Sequence, residues 1–330
     1  MSKAADLART ASASETALSN RNVVINGAMQ IWQRGVSQTT TGYGCVDRFR
    51  NTVSGTVTFS QETTGLPSGF VYALKWTTGA ATSYGQSRQF IETENVKALR
   101  GETVTASAYV KVSGDYSGIV TWEIAYSTGG DVSGSTWIGI TESNVISASA
   151  SDASSDYKRI SCNVTIPDNA VGIYVGIVPS AVQASGVTCS ITGVQLEVGT
   201  VTPFEHRSYG QELALCQRYY YRIQGNGSAN TSLGVGFAST TTTGYSYLKF
   251  PVNMRAAPTI DGSSGLTASD LNSYTVAYAS VGLNATESSS HGSSATYIVV
   301  TVSSGLTALR PNANQLSNNA GSFLSLTAEL

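Results

Sequence analysis

The sequence predicts an all-β protein of two β-sandwich or jelly-roll domains preceded by a short N-terminal α-helix. Three observations predict it. Short runs of β-branched and aromatic residues alternate with period two, and clusters of Gly, Ser, Thr and Asn separate nearly every pair of runs. No long stretch of helical periodicity interrupts them. The composition agrees: 84 of 330 residues are Ser or Thr, 33 are Gly, and only 12% are charged, about half the usual globular share of roughly 25%. A hydrophobic content of 41% and 17 tyrosines supply enough apolar surface for a core, which separates the chain from disordered polar sequences. The length of 330 residues suits two domains.

Residues 1–21 read as a thin helix for docking or oligomerisation. Ala4, Leu7, Ala11 and Leu18 fall near one stripe, a weak heptad seam. An alanine stripe buries little area, and a helix this short is marginal alone. Its order is expected to come from sister subunits or a larger body. Residues 22–199 read as the first jelly-roll domain. Val23–Ile25 precedes a turn at Asn26–Gly27. The runs that follow are 53–60, 73–77, 84–92, 103–112, 118–126, 159–166, 171–178 and 187–196. Val104, Ala106, Ala108, Val110 and Val112 form one face of a strand, and Val120, Trp122 and Ile124 line another. Residues 200–217 read as a linker with a short helix, Ser208 and Gln211 having capping-box spacing. Residues 218–330 read as a second β-sandwich, with strands at 218–224, 233–239, 245–251, 274–281, 295–302 and 323–330.

Several function classes drop out. The net charge is −2 and no Lys/Arg run occurs, which argues against nucleic-acid binding. No 18-residue apolar stretch is present, so no helical membrane insertion is expected. The N-terminus has no apolar leader region. Cys45, Cys162, Cys189 and Cys216 are too widely spaced for a zinc motif and read as free thiols, with one disulfide as the alternative. No metal or other cofactor is expected, because His206 and His291 stand apart and phosphate-loop, zinc-protease and Gly-x-Ser-x-Gly patterns are absent. Glu92 with Glu94, and Asp152 with Asp156, are the carboxylate pairs near enough for glycoside hydrolysis. Surface solvation or a bound cation accounts for them more simply, and no enzyme activity is expected.

Asn22-Val-Val-Ile-Asn-Gly-Ala-Met-Gln-Ile-Trp-Gln-Arg34, then Tyr43 and Asp47-Arg48-Phe49, resemble the opening of tailed-bacteriophage virion appendage proteins of the tail-fibre or tail-spike type. Ile191-Thr-Gly-Val-Gln-Leu-Glu-Val-Gly199 and Thr202-Pro-Phe-Glu-His-Arg207 resemble that module's close. Leu213-Ala-Leu-Cys-Gln-Arg-Tyr-Tyr220 and Phe250-Pro-Val-Asn-Met-Arg-Ala-Ala-Pro258 belong to the same pattern. The resemblance implies a jelly roll like the carbohydrate-binding modules fused to glycanases, here with no glycanase module. It implies a virion protein made in the host cytoplasm, assembled as a homotrimer. It would be attached to other virion proteins by its N-terminal helix and contact host cell-surface polysaccharide. Baseplate or capsid decoration, or an adaptor role, is the alternative within the class. A free carbohydrate-binding module or glycan hydrolase is the alternative outside it.

Physical reading of these blocks is mostly structural. A buried Arg34 or Arg48 would need a carboxylate such as Asp47, Glu197 or Glu205, and 203–207 reads as a polar clasp. Ile191, Val194, Leu196 and Val198 read as one buried strand. Sugar recognition uses exposed aromatic rings. Trp32, Trp76, Trp122 and Trp137 are the indoles available, with Trp76 and Trp122 assigned to the core. Trp137, in a Ser/Gly-rich loop, and Tyr43, Tyr84 and Tyr245, near turns, are the predicted glycan contacts.

Overall fold

The computed structural model describes residues 21–113, 115–130, 138–139, 145–146, 156–179, 181–270, 276–283 and 293–330. The predicted helix with Ala4, Leu7, Ala11 and Leu18, and the residues Trp137, Asp152 and His291, lie outside the described residues. One compact unit ends at Glu212 and takes in Leu330; the second is Leu213–Glu329.

The first unit contains β1 (Ser37–Gln38), β2 (Arg50–Ser54), β3 (Val57–Glu62), β4 (Ala73–Thr78), β5 (Tyr84–Ile91), α1 (Thr93–Val96), β6 (Thr103–Val112), β7 (Val120–Ser127), β8 (Ile138–Gly139), β9 (Val145–Ile146), β10 (Lys158–Thr165), β11 (Gly172–Pro179) and β12 (Thr188–Val198). They form two antiparallel six-stranded sheets. One runs β1-β3-β4-β12-β6-β10; the other runs β2-β5-β11-β7-β8, with β9 also on β7. The inward faces are those the alternation predicts. Val104, Ala106, Ala108 and Val110 meet Val120, Trp122, Ile124, Ile173, Val175 and Ile177 in one core that also buries Trp76, each large side chain contributing about 1.5–3 kcal/mol.

Three local expectations are corrected. The run at 53–60 is two strands, because Gly55 adopts φ +72° and the chain crosses there from one sheet to the other. Val23–Ile25 forms no strand, although Val23 N–H bonds the Leu196 carbonyl. Val198 is half exposed, while Ile191, Val194 and Leu196 are buried. A bulge between Thr192 and Gln195 changes the side-chain parity of β12. Gly193 supplies it at φ +62°, where an added Cβ would lie 2.7 Å from the Phe70 ring.

On the outer face of the first sheet, Lys111 Nζ lies 3.1 Å from Glu62 Oε1, and Tyr157 donates to Oε2 at 2.6 Å. Burial works to raise the Glu62 pKa, but hydrogen bonds from Tyr157, Lys111 and Ser190 outweigh it and hold the carboxyl below its ordinary value. A depressed folded-state pKa adds stability above the unfolded value and loses it as pH falls through the folded one. Glu62→Gln is therefore expected to cost this unit about 2 kcal/mol at neutral pH. The gap to wild type in urea-melt stability should narrow as pH falls below about 4; a constant gap would contradict the assignment.

Cys45, Cys162, Cys189 and Cys216 are all buried, and none is in a disulfide. Burial pushes the Cys45 and Cys162 thiols up to about 11 and raises the Cys189 thiol well above its ordinary value. A thiol reagent at pH 8 should find none of the four in the native protein and all four in denaturant.

The second unit contains β13 (Tyr220–Gln224), β14 (Thr231–Ala238), β15 (Thr243–Lys249), β16 (Thr259–Ser264), β17 (Leu266–Asp270), β18 (Val276–Leu283), β19 (Ala295–Val302), β20 (Pro311–Leu316) and β21 (Phe323–Thr327). The expected second sandwich is instead a closed barrel, β14-β15-β19-β18-β17-β20, with a three-stranded sheet β13-β21-β16. Sequence reading takes 262–265 as a turn cluster and misses β16, β17 and β20. Their small polar residues lack the apolar alternation that marks a strand. The barrel interior holds Leu233, Leu248, Leu266, Ile298, Val300 and Leu316 together with buried Asn312 and Asn314. Asn314 donates to the Gly244 and Ile298 carbonyls.

Candidate functional site: an aromatic and amide cleft on the first unit

The segment 21–34 has no regular hydrogen-bond ladder, so side chains must fix it. Asn26 is the hub. It is fully buried at φ +60°, a conformation Asn tolerates better than most residues. Its side-chain oxygen accepts from the Gln30 and Ile31 amides at 2.8 and 2.9 Å. Its side-chain nitrogen donates to the Ile31 and Asp47 carbonyls at 2.9 and 3.0 Å. Its backbone N–H donates to Glu212 at 2.5 Å. Asn22 plays a parallel part, accepting from Val24 and Leu196 and donating to Val194.

The segment 200–212, read from sequence as part of a linker, belongs to this same network. Glu197 accepts from the Thr202 amide and hydroxyl, and Glu205 N–H donates to Gln195. Glu205 in turn accepts from the Asn22 amide at 2.7 Å. Arg207 lies 3.3 Å from Glu212 and donates to the Val24 and Asn22 carbonyls. Helix α2 (Tyr209–Gln217) begins where Ser208 Oγ accepts from the Gln211 amide at 3.3 Å, half of the predicted capping box. Buried Asp47 lies 3.6 Å from Arg34, as the burial argument requires. Arg48 donates to the Phe90 carbonyl. The clasp expected at 203–207 is present, and it extends to the first sequence block. His206 is part of a ring cluster, 5.0 Å from Phe70 and 4.9 Å from Phe204 between centroids.

Beside this clasp lies an open cleft of about 250 Å³. Trp32, Tyr72 and Tyr209 give it aromatic walls, Gln30, Gln33 and Gln61 give it amides, and Ile31 completes the lining. Trp32 and Tyr72 each pack one side against the hydrophobic core. The Trp32 indole N–H donates to the Met29 carbonyl at 2.6 Å, which fixes the ring. Asp47 orients Gln33 through its backbone amide at 3.1 Å and its side-chain nitrogen at 2.5 Å. Tyr209 is 61% exposed. Flat rings with amides between them offer stacking surface and paired donors and acceptors, the combination that recognises a polyhydroxylated ring. No lining residue is a carboxylate, a histidine or a cysteine.

Three of the four predicted contacts fall elsewhere, and Trp137 lies outside the described residues. Tyr43 lies under the Arg34 guanidinium at 5.4 Å, and its hydroxyl donates to the Leu330 carbonyl. Tyr84 opens β5, half-buried, opposite Ser54. Tyr245, on the barrel wall of the second unit, stacks on Phe237 at 5.5 Å. None of the three lines the cleft. Trp76 and Trp122 are core residues, as expected. Glu92 and Glu94 do not share a strand face, because β5 stops at Ile91 and α1 begins at Thr93. Glu92 is buried and Glu94 is exposed against Lys97. Asp156 is exposed. Among the described residues no group of three or more His, Cys, Asp or Glu side chains is placed to hold a metal ion. Sequence reading counts Trp32 among the indoles but not Tyr72, Tyr209 or the glutamines. The one local signal is Gln30-Ile-Trp-Gln33, an indole flanked by amides.

No protein-family model matches the chain, and no curated protein sequence matches it. Among solved structures, the enzymatically active domain of bacteriophage CBA120 tailspike protein 4 aligns at 13% identity and TM-score 0.38, over 54% of this chain and 22% of that one. The C-terminal family 22 carbohydrate-binding module of Clostridium thermocellum Xyn10B aligns at 14% identity and TM-score 0.31, over 52% of this chain and 98% of that one. TmCBM61, solved with β-1,4-galactotriose, aligns at 11% identity and TM-score 0.31, over 55% of this chain and 100% of that one. Scores this low carry no functional weight, and the cleft is read from its own geometry.

Proposed function

We propose that this protein is a non-enzymatic glycan-binding protein that works as a tailed-phage virion appendage, and that the cleft of Trp32, Tyr72 and Tyr209 is where it holds host surface polysaccharide. The supporting observation is the cleft: aromatic rings and side-chain amides, of which Trp32 and Gln33 are fixed by hydrogen bonds, on a scaffold held by buried polar bonds. Preorganisation of this kind lowers the ordering cost of binding. The virion part of the reading rests on the sequence blocks at 22–34, 47–49, 191–199 and 202–207, which converge on the clasp that supports the cleft. Single-site affinity for a sugar is low, so assembly as a homotrimer through residues 1–21 supplies avidity.

A glycan array probed with the full chain tests the reading. Binding to a subset of glycans is expected, weakened about tenfold or more by Trp32→Ala and by Tyr209→Ala. The exposed Tyr209 gives a variant whose fold is not at stake. Appearance of new reducing ends on incubation with a bound polysaccharide would overturn the non-enzymatic assignment. Solution mass with and without residues 1–21 tests the trimer.

A further inference from the structure

We infer that the cleft takes a single uncharged terminal pyranose residue, rather than an internal stretch of a polysaccharide or an acidic sugar. This rests on the glycan-binding reading above and narrows it. Size is the first argument. At about 250 Å³ the cleft is smaller than the roughly 300–1,000 Å³ typical of sites that enclose a drug-sized ligand. One ring fills it, and the rest of a chain would project into solvent.

Charge is the second. The lining holds no Lys, Arg or His. The nearest cation in sequence, Arg34, is spent: its side chain is 4% exposed, it pairs with Asp47 at 3.6 Å and it covers the Tyr43 ring. Asp47, fully buried, holds Gln33 at the cleft. A sugar carboxylate would therefore lose its hydration with no cation to compensate it and with a buried carboxylate nearby.

Hydrogen bonding is the third. The Trp32 N–H is already used on Met29, so the indole offers a face and not a donor. The side-chain amides of Gln30 and Gln61 carry no hydrogen bond within the described residues. Each brings a donor and an acceptor, which suits hydroxyls that both give and accept.

The test is a titration of the full chain, followed by ligand-observed NMR. The probes are the methyl glycosides of glucose, galactose, mannose and N-acetylglucosamine, methyl glucuronide, and neutral oligomers of two to six residues. At least one neutral methyl glycoside should bind in the millimolar range, its oligomers no more than about threefold tighter, and the glucuronide at least about tenfold weaker. Tyr209→Ala should weaken the neutral ligand about tenfold or more, and Gln61→Ala about fivefold or more. Affinity that climbs steeply with oligomer length, or a preference for the glucuronide, would overturn this inference and leave the glycan-binding reading standing. Binding untouched by both variants would move the site away from the cleft and overturn it too. No binding to any glycan here or on the array would remove both.

Discussion

Asn26→Asp is expected to destabilise the first unit by about 3–5 kcal/mol, the cost of an uncompensated buried charge. The change is nearly isosteric, so packing is not the cause. The Asn26 nitrogen donates to the Ile31 and Asp47 carbonyls, and a carboxylate has no proton to donate. It would press a negative oxygen against two carbonyl oxygens, on a residue whose own backbone amide is already bound to Glu212. For a unit of this size that loss corresponds to a Tm decrease of roughly 6–20 °C. Sugar binding should fall with it, because Gln30 and Ile31 hang from the Asn26 side chain. Calorimetry reads the first effect and a glycan titration the second. A loss under about 1 kcal/mol would mean that the N-terminal segment is held by something other than this hub.

Gly236→Ala is expected to have a comparable effect on the second unit. In β14, Gly236 pairs with Ser246 of β15. A Cβ at 236 would lie 1.9 Å from the Tyr245 carbonyl oxygen and 2.9 Å from the Ser246 Cα. Those are backbone atoms in a closed barrel, so no side chain can rotate away. Gly234, two residues earlier at φ +144°, would clash with the Tyr247 carbonyl in the same way. The tight approach of β14 and β15 depends on bare backbone at these positions. The variant should lose barrel structure, seen as amide exchange across β14, β15 and β19, while the first unit's core amides keep their protection. Protected barrel amides in Gly236→Ala would show that the strands separate there at little cost.

The first unit was largely legible because its strands are long and half their residues face a single core. The alternation in β6 and β7 is unbroken, and the bounds read from sequence for β6 match the structure. Errors came where geometry broke the period. Gly55 split one run into two strands, and Gly193 reversed the parity of β12. The second unit was harder. Its barrel buries Asn312, Asn314 and Ser246 as well as leucines, so inward positions do not stand out as apolar.

The clasp was legible as charge, since buried arginines demand acceptors. The cleft was not. Its rings come from three segments far apart in sequence, and nothing in a single sequence says that Trp32 meets Tyr72 and Tyr209. The sequence points to rings near Gly- and Ser-rich turns, and of these Tyr43 lies under the Arg34 guanidinium. A position near a turn predicts exposure of the backbone better than it predicts where a side chain is aimed.

The most direct measurement is the indole N–H spectrum of the full protein during titration with a glycan drawn from the array. The expected result is a saturable shift of the Trp32 resonance, with the core indoles Trp76 and Trp122 unmoved and the glycan recovered intact. An unmoved Trp32 at saturating glycan, or recovery of a cleaved glycan, would contradict it.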